Sequence, residues 1–329
     1  MAHAETIPQE RDSRRDIDLT EPVSIYQVHP GSWMRVPEEN NRILTEQEIA
    51  PKLADYAQHM GFTHVELVDA PESTYVKDYL DQQGPGVIGS SGFPWDTNFT
   101  RNIRGYFAQP PAQRKLHHQW LKFRPGNCSL RLSHEEHSLL ANMPGDEWQK
   151  FANLRLLLAY MYLQPGKKLL FMGHEFGQWR QWDPETSLDW HLLQFRYHRG
   201  TQELVKRLND LYRHERALQG AAESFEWIDG EDAERSTVSW LRWDAEFEEV
   251  FLAVFNFTPA VHRNFKVGVP RGGEWRELIN TDAQEYGGSG QGNFGSVRAA
   301  PFGWQGRPQS LLITVPPLAA VAFKNQKGN

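Results

Sequence analysis

An α/β part followed by an all-β part is the fold class this sequence predicts, on three observations. A strand–helix–strand pattern opens the ordered chain, a helix–strand unit repeats that alternation before residue 175, and from Phe225 onward only short alternating segments remain. The 329 residues suffice for about two domains with sizeable cores. Residues 1–22 are polar and charged up to Pro22 and read as a flexible tail. Val23 to His29 alternates and is β-branched enough for a strand, which Pro30-Gly31 ends. A helix follows: Thr45 and Glu48 form a capping box, Ile49, Leu53, Tyr56 and Met60 recur at helical spacing, and Gly61 stands where a C-terminal cap belongs. Thr63 to Val68 gives a second strand, so residues 23–68 form one βαβ unit with parallel strands.

Between Asp69 and Leu130 the periodicity collapses. Gly84-Pro85-Gly86, Gly89 to Gly92, Phe93-Pro94 and Pro110-Pro111 interrupt it, and no clear element is expected there. Order resumes at Pro144-Gly145-Asp146, which starts a helix carrying Trp148, Phe151, Leu154, Leu158 and Tyr162; Pro165-Gly166 stops it, and Lys168 to Met172 is a buried strand ending at Gly173. Another helix is predicted from about Thr201 to Ala217. Strands are then expected at Ser236–Trp243, Glu249–Phe257, Asn264–Val269, Leu311–Thr314 and Ala319–Phe323, as an antiparallel sandwich with Gly287 to Gly295 as a flexible loop. No internal repeat is visible.

The formal net charge of −7 argues against nucleic acid and anionic membranes as partners, because both demand a positive footprint. A neutral ligand fits better, and twelve Trp suit stacking on the flat apolar faces of sugars as well as they suit large cores. The single Cys128 excludes an internal disulfide framework. Met1 to Glu10 lacks a cationic flank followed by an apolar stretch, so no secretory signal is expected, and the cytoplasm is the expected compartment. The apolar run Leu154 to Leu163 is far shorter than the ~20 residues of a bilayer span.

Two segments concentrate chemistry. Ser133-His134-Glu135-Glu136-His137 gathers imidazoles and carboxylates fit for acid/base work or for a solvated polar loop; its histidines stand three apart with no third ligand, which does not make a metal site. Gly173 to Trp182 lies directly after a parallel strand, where α/β folds bind ligands. There His174, Glu175, Gln178, Trp179 and Trp182 combine rings with hydrogen-bonding groups suited to a polyhydroxylated ligand; one of the two indoles is expected merely to pack the loop on the body. Gly288, Gly290, Gly292 and Gly295 precede no helix, and no phosphate loop or nucleophile elbow occurs, so no cofactor is expected.

Met143 to Arg155, Pro165 to Gln178 and Ser187 to Leu193 together resemble the 1,4-α-glucan (glycogen) branching enzymes of the α-amylase superfamily. Val23 to Trp33 and Met60 to Leu67 are similar to the first strand, helix and second strand of that family's barrel, while Asn256 to Pro259, Trp275 to Asp282 and Pro316 to Ala319 resemble its C-terminal β-domain. The resemblance covers residues 23–68 and about 131–325. It implies a (β/α)8 TIM barrel, here incomplete, followed by an antiparallel β-sandwich, and α-1,4-glucan or glycogen as partner. The implied reaction transfers an α-1,4-glucan segment to a 6-hydroxyl by retaining double displacement, which needs two carboxyl groups about 5 Å apart.

Against that pattern the sequence departs. The nucleophile's Arg-x-Asp-Ala motif, the acid/base Glu of the next strand and the earlier Asp-x-x-x-x-His motif are all read as missing from the chain. The fourth motif survives as Ser133-His134-Glu135, with Glu135 where the family has Asp; the extra methylene displaces the carboxylate enough to cost about a hundredfold in rate. His174 replaces the family's usual Asn. Ala221-Ala222-Glu223-Ser224 mimics the acid/base stretch but follows the barrel helices, so Glu223 reads as surface. Substitute carboxylates, if any act, are Asp96, Glu135 or Glu175. The family's carbohydrate-binding domain before the barrel is also not expected here. The predicted organisation is a tail at 1–22, an incomplete barrel at 23–220 with an atypical segment at 69–130, and a β-domain at 221–329 able to fold alone, with transfer lost.

Overall fold

The computed structural model describes residues 21–69, 74–88, 97–115, 128–130, 138–219 and 224–326. Its first half is organised on a parallel sheet of β1 (Ser24–Val28), β2 (His64–Leu67), β3 (Gly86–Ile88), β4 (Cys128–Leu130) and β5 (Lys168–Phe171). The spatial order is β3-β2-β1-β5-β4, and each pairing is parallel. That order is diagnostic. A dinucleotide-type open sheet would place β4 next to β1, whereas a ring of strands brings the last strand beside the first, as β5 lies here. The sheet is therefore an arc of a (β/α) barrel, with no strand between β3 and β4 among the described residues.

Local chemistry sets the helices. In α1 (Glu46–His59) the Glu48 carboxylate accepts the Thr45 N–H at 2.7 Å, completing the expected capping box, and Gly61 takes the left-handed φ of 75° that ends it. Asp146 and Gln149 cap α4 (Glu147–Leu163) reciprocally. Every residue of α4 from Phe151 to Leu163 is buried, so this helix lies inside the molecule rather than on its rim. The helix predicted from Thr201 to Ala217 is α5 (Arg196–His214), interrupted at Glu215 before a further turn at Arg216–Gln219.

The segment expected to lack elements does not lack them. It holds α2 (Thr74–Gln83), α3 (Thr97–Ala108) and both edge strands, β3 and β4. Three-residue strands are too short to show a period, and in α2 the inward stripe rests on Val76 and Leu80 alone. Arg114, just beyond α3, is wholly buried and ties the segment down. Its guanidinium donates to the carbonyls of Phe107, Gln109 and Phe257 at 3.0–3.1 Å and to Asn153 Oδ1 at 2.7 Å, and it lies over the Tyr106 and Phe107 rings.

The second half is antiparallel: β6 (Phe225–Asp229), β7 (Thr237–Trp243), β8 (Glu249–Asn256), β9 (His262–Val269), β10 (Glu274–Asn280), β11 (Ser296–Arg298), β12 (Gln309–Val315) and β13 (Ala319–Gln326). Six form one sheet in the order β11-β10-β13-β8-β7-β6, and β9 pairs with β12 in a second layer. Leu241, Leu252, Val254 and Phe323 pack between the layers with Val267, Leu311 and Ile313. The central strands of the sheet are covered on the other face too. Trp240, Phe251, Phe255, Ala320 and Ala322 belong to one continuous core with α4, α1 and the outer face of the parallel sheet, and Tyr160 of α4 lies edge-on to Trp240 at 5.4 Å.

That shared core bears on the expectation that the β-rich part folds alone, since removing the helices would uncover the central strands on one face of its six-stranded sheet. The loop expected to be flexible is also tied down: the Asp282 carboxylate accepts the Ser289 N–H and hydroxyl and the Gln291 N–H, and Arg196 donates to Gly288 O. The opposite face of the parallel sheet carries a separate small cluster of Val23, Ile25, Ile88 and Leu169.

Candidate functional site

At the carboxyl end of β5 the chain turns through Gly173, at φ 86°, and the following loop borders a small, shallow cleft. Its lining includes Arg104 from α3, Phe171, His174, Gln178, Arg180 and Trp182. The cleft thus stands where parallel strands end and backbone amides open to ligands.

Each side chain is positioned by a traceable contact. Trp182 is half-buried, edge-on to Phe171 at 5.7 Å and to His29 at 5.2 Å, and its indole N–H donates to Ser32 Oγ at 2.7 Å. The same hydroxyl lies 2.8 Å from His29 Nδ1. Burial holds the His29 imidazole below its usual pKa, and nearby Asp69 opposes this, so His29 is neutral at pH 7. Gln178 spends both ends of its amide within the loop: its nitrogen donates to Arg180 O at 3.3 Å and its oxygen accepts the Asp189 N–H at 2.9 Å. Arg180 closes that brace on the Asp189 carboxylate at 2.6 Å.

Trp179 turns away from the cleft. Its ring packs edge-on against Phe151 of α4 at 5.8 Å and near His198 of α5, and its carbonyl accepts the Ser138 hydroxyl. Glu175 points inward altogether. It is fully buried between sheet and helices, where Oε1 accepts the hydroxyls of Tyr26 at 2.7 Å and Tyr56 at 2.9 Å. Trp33 donates to the Tyr26 oxygen and Gln202 to the Tyr56 oxygen, while Glu175 Oε2 has no hydrogen-bond partner among the described residues. Burial outweighs the hydrogen bonds that the carboxylate accepts from the Tyr26 and Tyr56 hydroxyls and from nearby backbone, and pushes the carboxyl up to about 7.

Of the residues singled out from sequence, the structure gathers His174, Gln178 and Trp182 at one cleft and sets Trp179 and Glu175 behind it. His134, Glu135, Asp96 and Glu223 lie outside the described residues. Sequence reasoning passed over His29, Asp69 and Arg104. The first two follow β1 and β2 directly, a positional signal readable once the strands are drawn; Arg104 had none, coming from the segment thought to lack elements. It also passed over Arg242-Trp243-Asp244-Ala245, which spells the nucleophile motif. Structure removes that reading: Asp244 is buried at the end of β7, accepts the Glu248 and Glu249 N–H groups at 2.8 and 2.9 Å, and faces Arg216, so it braces a turn far along the chain from the cleft. Among the described residues lining the cleft there is no carboxylate.

Comparison with known proteins places this geometry. Residues 227–326 match the family described as Alpha amylase, C-terminal all-beta domain. The 1,4-alpha-glucan branching enzyme GlgB of Aquifex aeolicus is 49% identical over 483 residues, covering 93% of this chain and 77% of that protein. The chain belongs to the 1,4-alpha-glucan branching enzyme family. The branching enzyme of Pseudomonas aeruginosa is 44% identical over 271 residues, which cover 78% of this chain but 37% of that enzyme, and that of Cellvibrio japonicus is 39% identical over 91% of this chain and 42% of its own length. The chain thus spans less than half of the last two enzymes and about three quarters of the Aquifex one. In fold it resembles an alpha-amylase from Geobacillus thermoleovorans complexed with acarbose, at a TM-score of 0.61 and 11% identity over 94% of this chain and 99% of that one. A debranching enzyme from Nostoc punctiforme soaked with acarbose gives 0.61 and 10% over 93% and 98%. At those identities the likeness speaks for the barrel-plus-β architecture alone. No helix among the described residues is long and apolar enough to cross a membrane.

Proposed function

We propose that this branching-enzyme relative contacts α-1,4-glucan and has lost the transfer reaction. The observation that carries the reading is internal. An alignment over 483 residues, against a chain of 329, passes over at least 154 positions of the Aquifex relative. In keeping with that gap, the parallel sheet has five strands among the described residues where a closed barrel has eight. Retaining transfer requires a nucleophilic carboxylate and an acid/base carboxyl about 5 Å apart at the strand ends. Neither family motif stands in the barrel-like part, and Glu175, a substitute by sequence, is occupied by Tyr26 and Tyr56 on the far side of the loop.

What supports retained contact is the half-exposed Trp182 beside His174 and Arg180 at the cleft, an aromatic edge with polar groups suited to a sugar ring. The same reading divides the chain near residue 220 into a barrel arc and a β-rich unit that fold together. The test pairs two assays. Amylose incubated with the protein keeps its iodine colour, whereas the Aquifex aeolicus relative bleaches it, and a gel containing glycogen retards the protein relative to albumin. Bleaching by this chain overturns the loss of transfer; unretarded migration overturns glucan contact.

A further inference from the structure

The aromatic edge of the cleft is held from behind. Ser32 lies in the turn after β1, wholly buried, with its hydroxyl between two rings. Its Oγ accepts the Trp182 indole N–H at 2.7 Å and stands 2.8 Å from His29 Nδ1. An indole N–H can only donate, so the serine oxygen is the acceptor in the first contact. The buried hydroxyl proton then needs an acceptor of its own, and the described residues bring His29 Nδ1 within its reach. The chain of bonds runs from Trp182 through Ser32 to His29, which leaves the histidine proton on Nε2.

This chain fixes which way the indole faces. Phe171 and His29 meet the Trp182 ring edge-on, at 85° and 70°, and so set its plane. Half a turn about the Cβ–Cγ bond keeps that plane and exchanges the two ends of the ring, a choice that edge packing decides weakly. The bond to Ser32 selects one end. To a ligand the two orientations differ, because reversing the ring changes the outline that a pyranose covers and moves the N–H from the interior to the cleft.

The turns that carry these residues are joined without the hydroxyl. Leu188 N–H donates to Ser32 O at 3.1 Å, Trp190 Nε1 donates to Trp33 O at 2.7 Å, and Arg35 donates to Gly31 O and to Pro184 O, each at 2.9 Å. Removing the hydroxyl therefore frees the indole and not the loops. We propose that Ser32 is a positioning residue for glucan contact, presenting one orientation of the Trp182 indole to a sugar ring in the cleft. The inference rests on the glucan-contact reading above, which supplies the occupant.

The experiment is a double-mutant cycle in which maltoheptaose binding is followed by titration calorimetry on the full chain, Ser32→Ala, Trp182→Phe and the double variant. Glycogen-gel retardation of Trp182→Ala serves as the reference for the cleft. Phenylalanine keeps a ring but has no N–H to orient. The apparent dissociation constant is expected to rise about three- to tenfold in Ser32→Ala, and less than about twofold when the same change is made in Trp182→Phe. The thermal midpoint of Ser32→Ala is expected to stay near the parent's. Two spectra read the ring system itself: nitrogen NMR of the parent shows His29 Nδ1 without a proton, and the Trp182 indole N–H exchanges with deuterium faster in Ser32→Ala. An equal rise in both backgrounds, or parental affinity in Ser32→Ala while Trp182→Ala loses retardation, overturns this inference and leaves the cleft reading standing. A protonated His29 Nδ1 in the parent overturns it too, as does loss of the cooperative melt in Ser32→Ala, which would make Ser32 part of the core. Unchanged retardation in Trp182→Ala, or none in the parent, overturns both readings.

Discussion

Replacing Glu175 by glutamine removes an ionisation that the fold opposes, and the structure gives its size. The carboxyl is fully buried, and its pKa stands at about 7 instead of 4.5 because burial outweighs the hydroxyls of Tyr26 and Tyr56. A folded-state pKa above the unfolded one means that the folded protein holds the proton more tightly. Stability from this group is therefore full below pH 4.5, declines as the unfolded chain ionises first, and levels off above about pH 7. The whole displacement is worth about 3 kcal/mol, most of it between pH 5 and pH 8. In Glu175→Gln the amide oxygen still accepts both tyrosine hydroxyls, while its NH₂ costs about 1–2 kcal/mol at every pH for want of an acceptor. Only the pH slope is diagnostic. Urea unfolding followed by tryptophan fluorescence at pH 5, 6, 7 and 8 is expected to show the parent losing about 2–3 kcal/mol more than the variant across that range. Parallel slopes for the two proteins would refute the reasoning, since Glu175 would then ionise in the fold as freely as in water.

Other consequences follow from single contacts. Arg114→Ala leaves the Asn153 side chain and three buried carbonyls short of a donor and is expected to cost at least about 3 kcal/mol in urea unfolding; an unchanged midpoint would mean that residues 97–115 do not dock on α4. Trp179→Ala should lower stability by about 2 kcal/mol through lost packing on Phe151, with little effect on glycogen retardation, whereas Trp182→Ala should weaken retardation; the reverse pattern would exchange their roles. Excised residues 221–329 should bind a hydrophobic dye and melt without a sharp transition, because Trp240, Phe251 and Phe255 lose the α4 face; a cooperative melt near that of the full chain would contradict the shared core.

How much of this was legible in the sequence depends on how local each signal is. The Thr45–Glu48 box, Gly61, the Asp146 cap and the run Lys168 to Phe171 carry their meaning within a few residues, and the parallel β1–β2 pairing follows from the helix between them, whereas β5 beside β1 is set by the closing ring of strands. Edge strands β3 and β4 were not legible, since three residues hold no period and their pairing is decided by distant neighbours. Nor was the burial of α4 on every side. Its apolar residues read as one helix face, while Asn153 and Arg155, polar by sequence, are buried because Arg114 and the Thr281 carbonyl meet them there. At the site, the loop after β5 was visible as a dense string of rings and polar groups, but the string does not say which way each points. Glu175 and Trp179 resemble ligand-binding residues on paper and serve as internal braces in space. The string Arg242 to Ala245 shows the converse, a motif spelled correctly where its aspartate accepts backbone N–H groups and braces a turn.

The central claim is that a barrel arc of this family persists as a folded, glucan-contacting protein without transfer. Proton NMR of amylose after long incubation with the purified chain tests it most directly, because each transfer converts an α-1,4 linkage into a resolved α-1,6 anomeric signal. The account predicts no α-1,6 signal above an enzyme-free blank, with the Aquifex aeolicus relative producing one under the same conditions. A growing α-1,6 signal with this chain would contradict it.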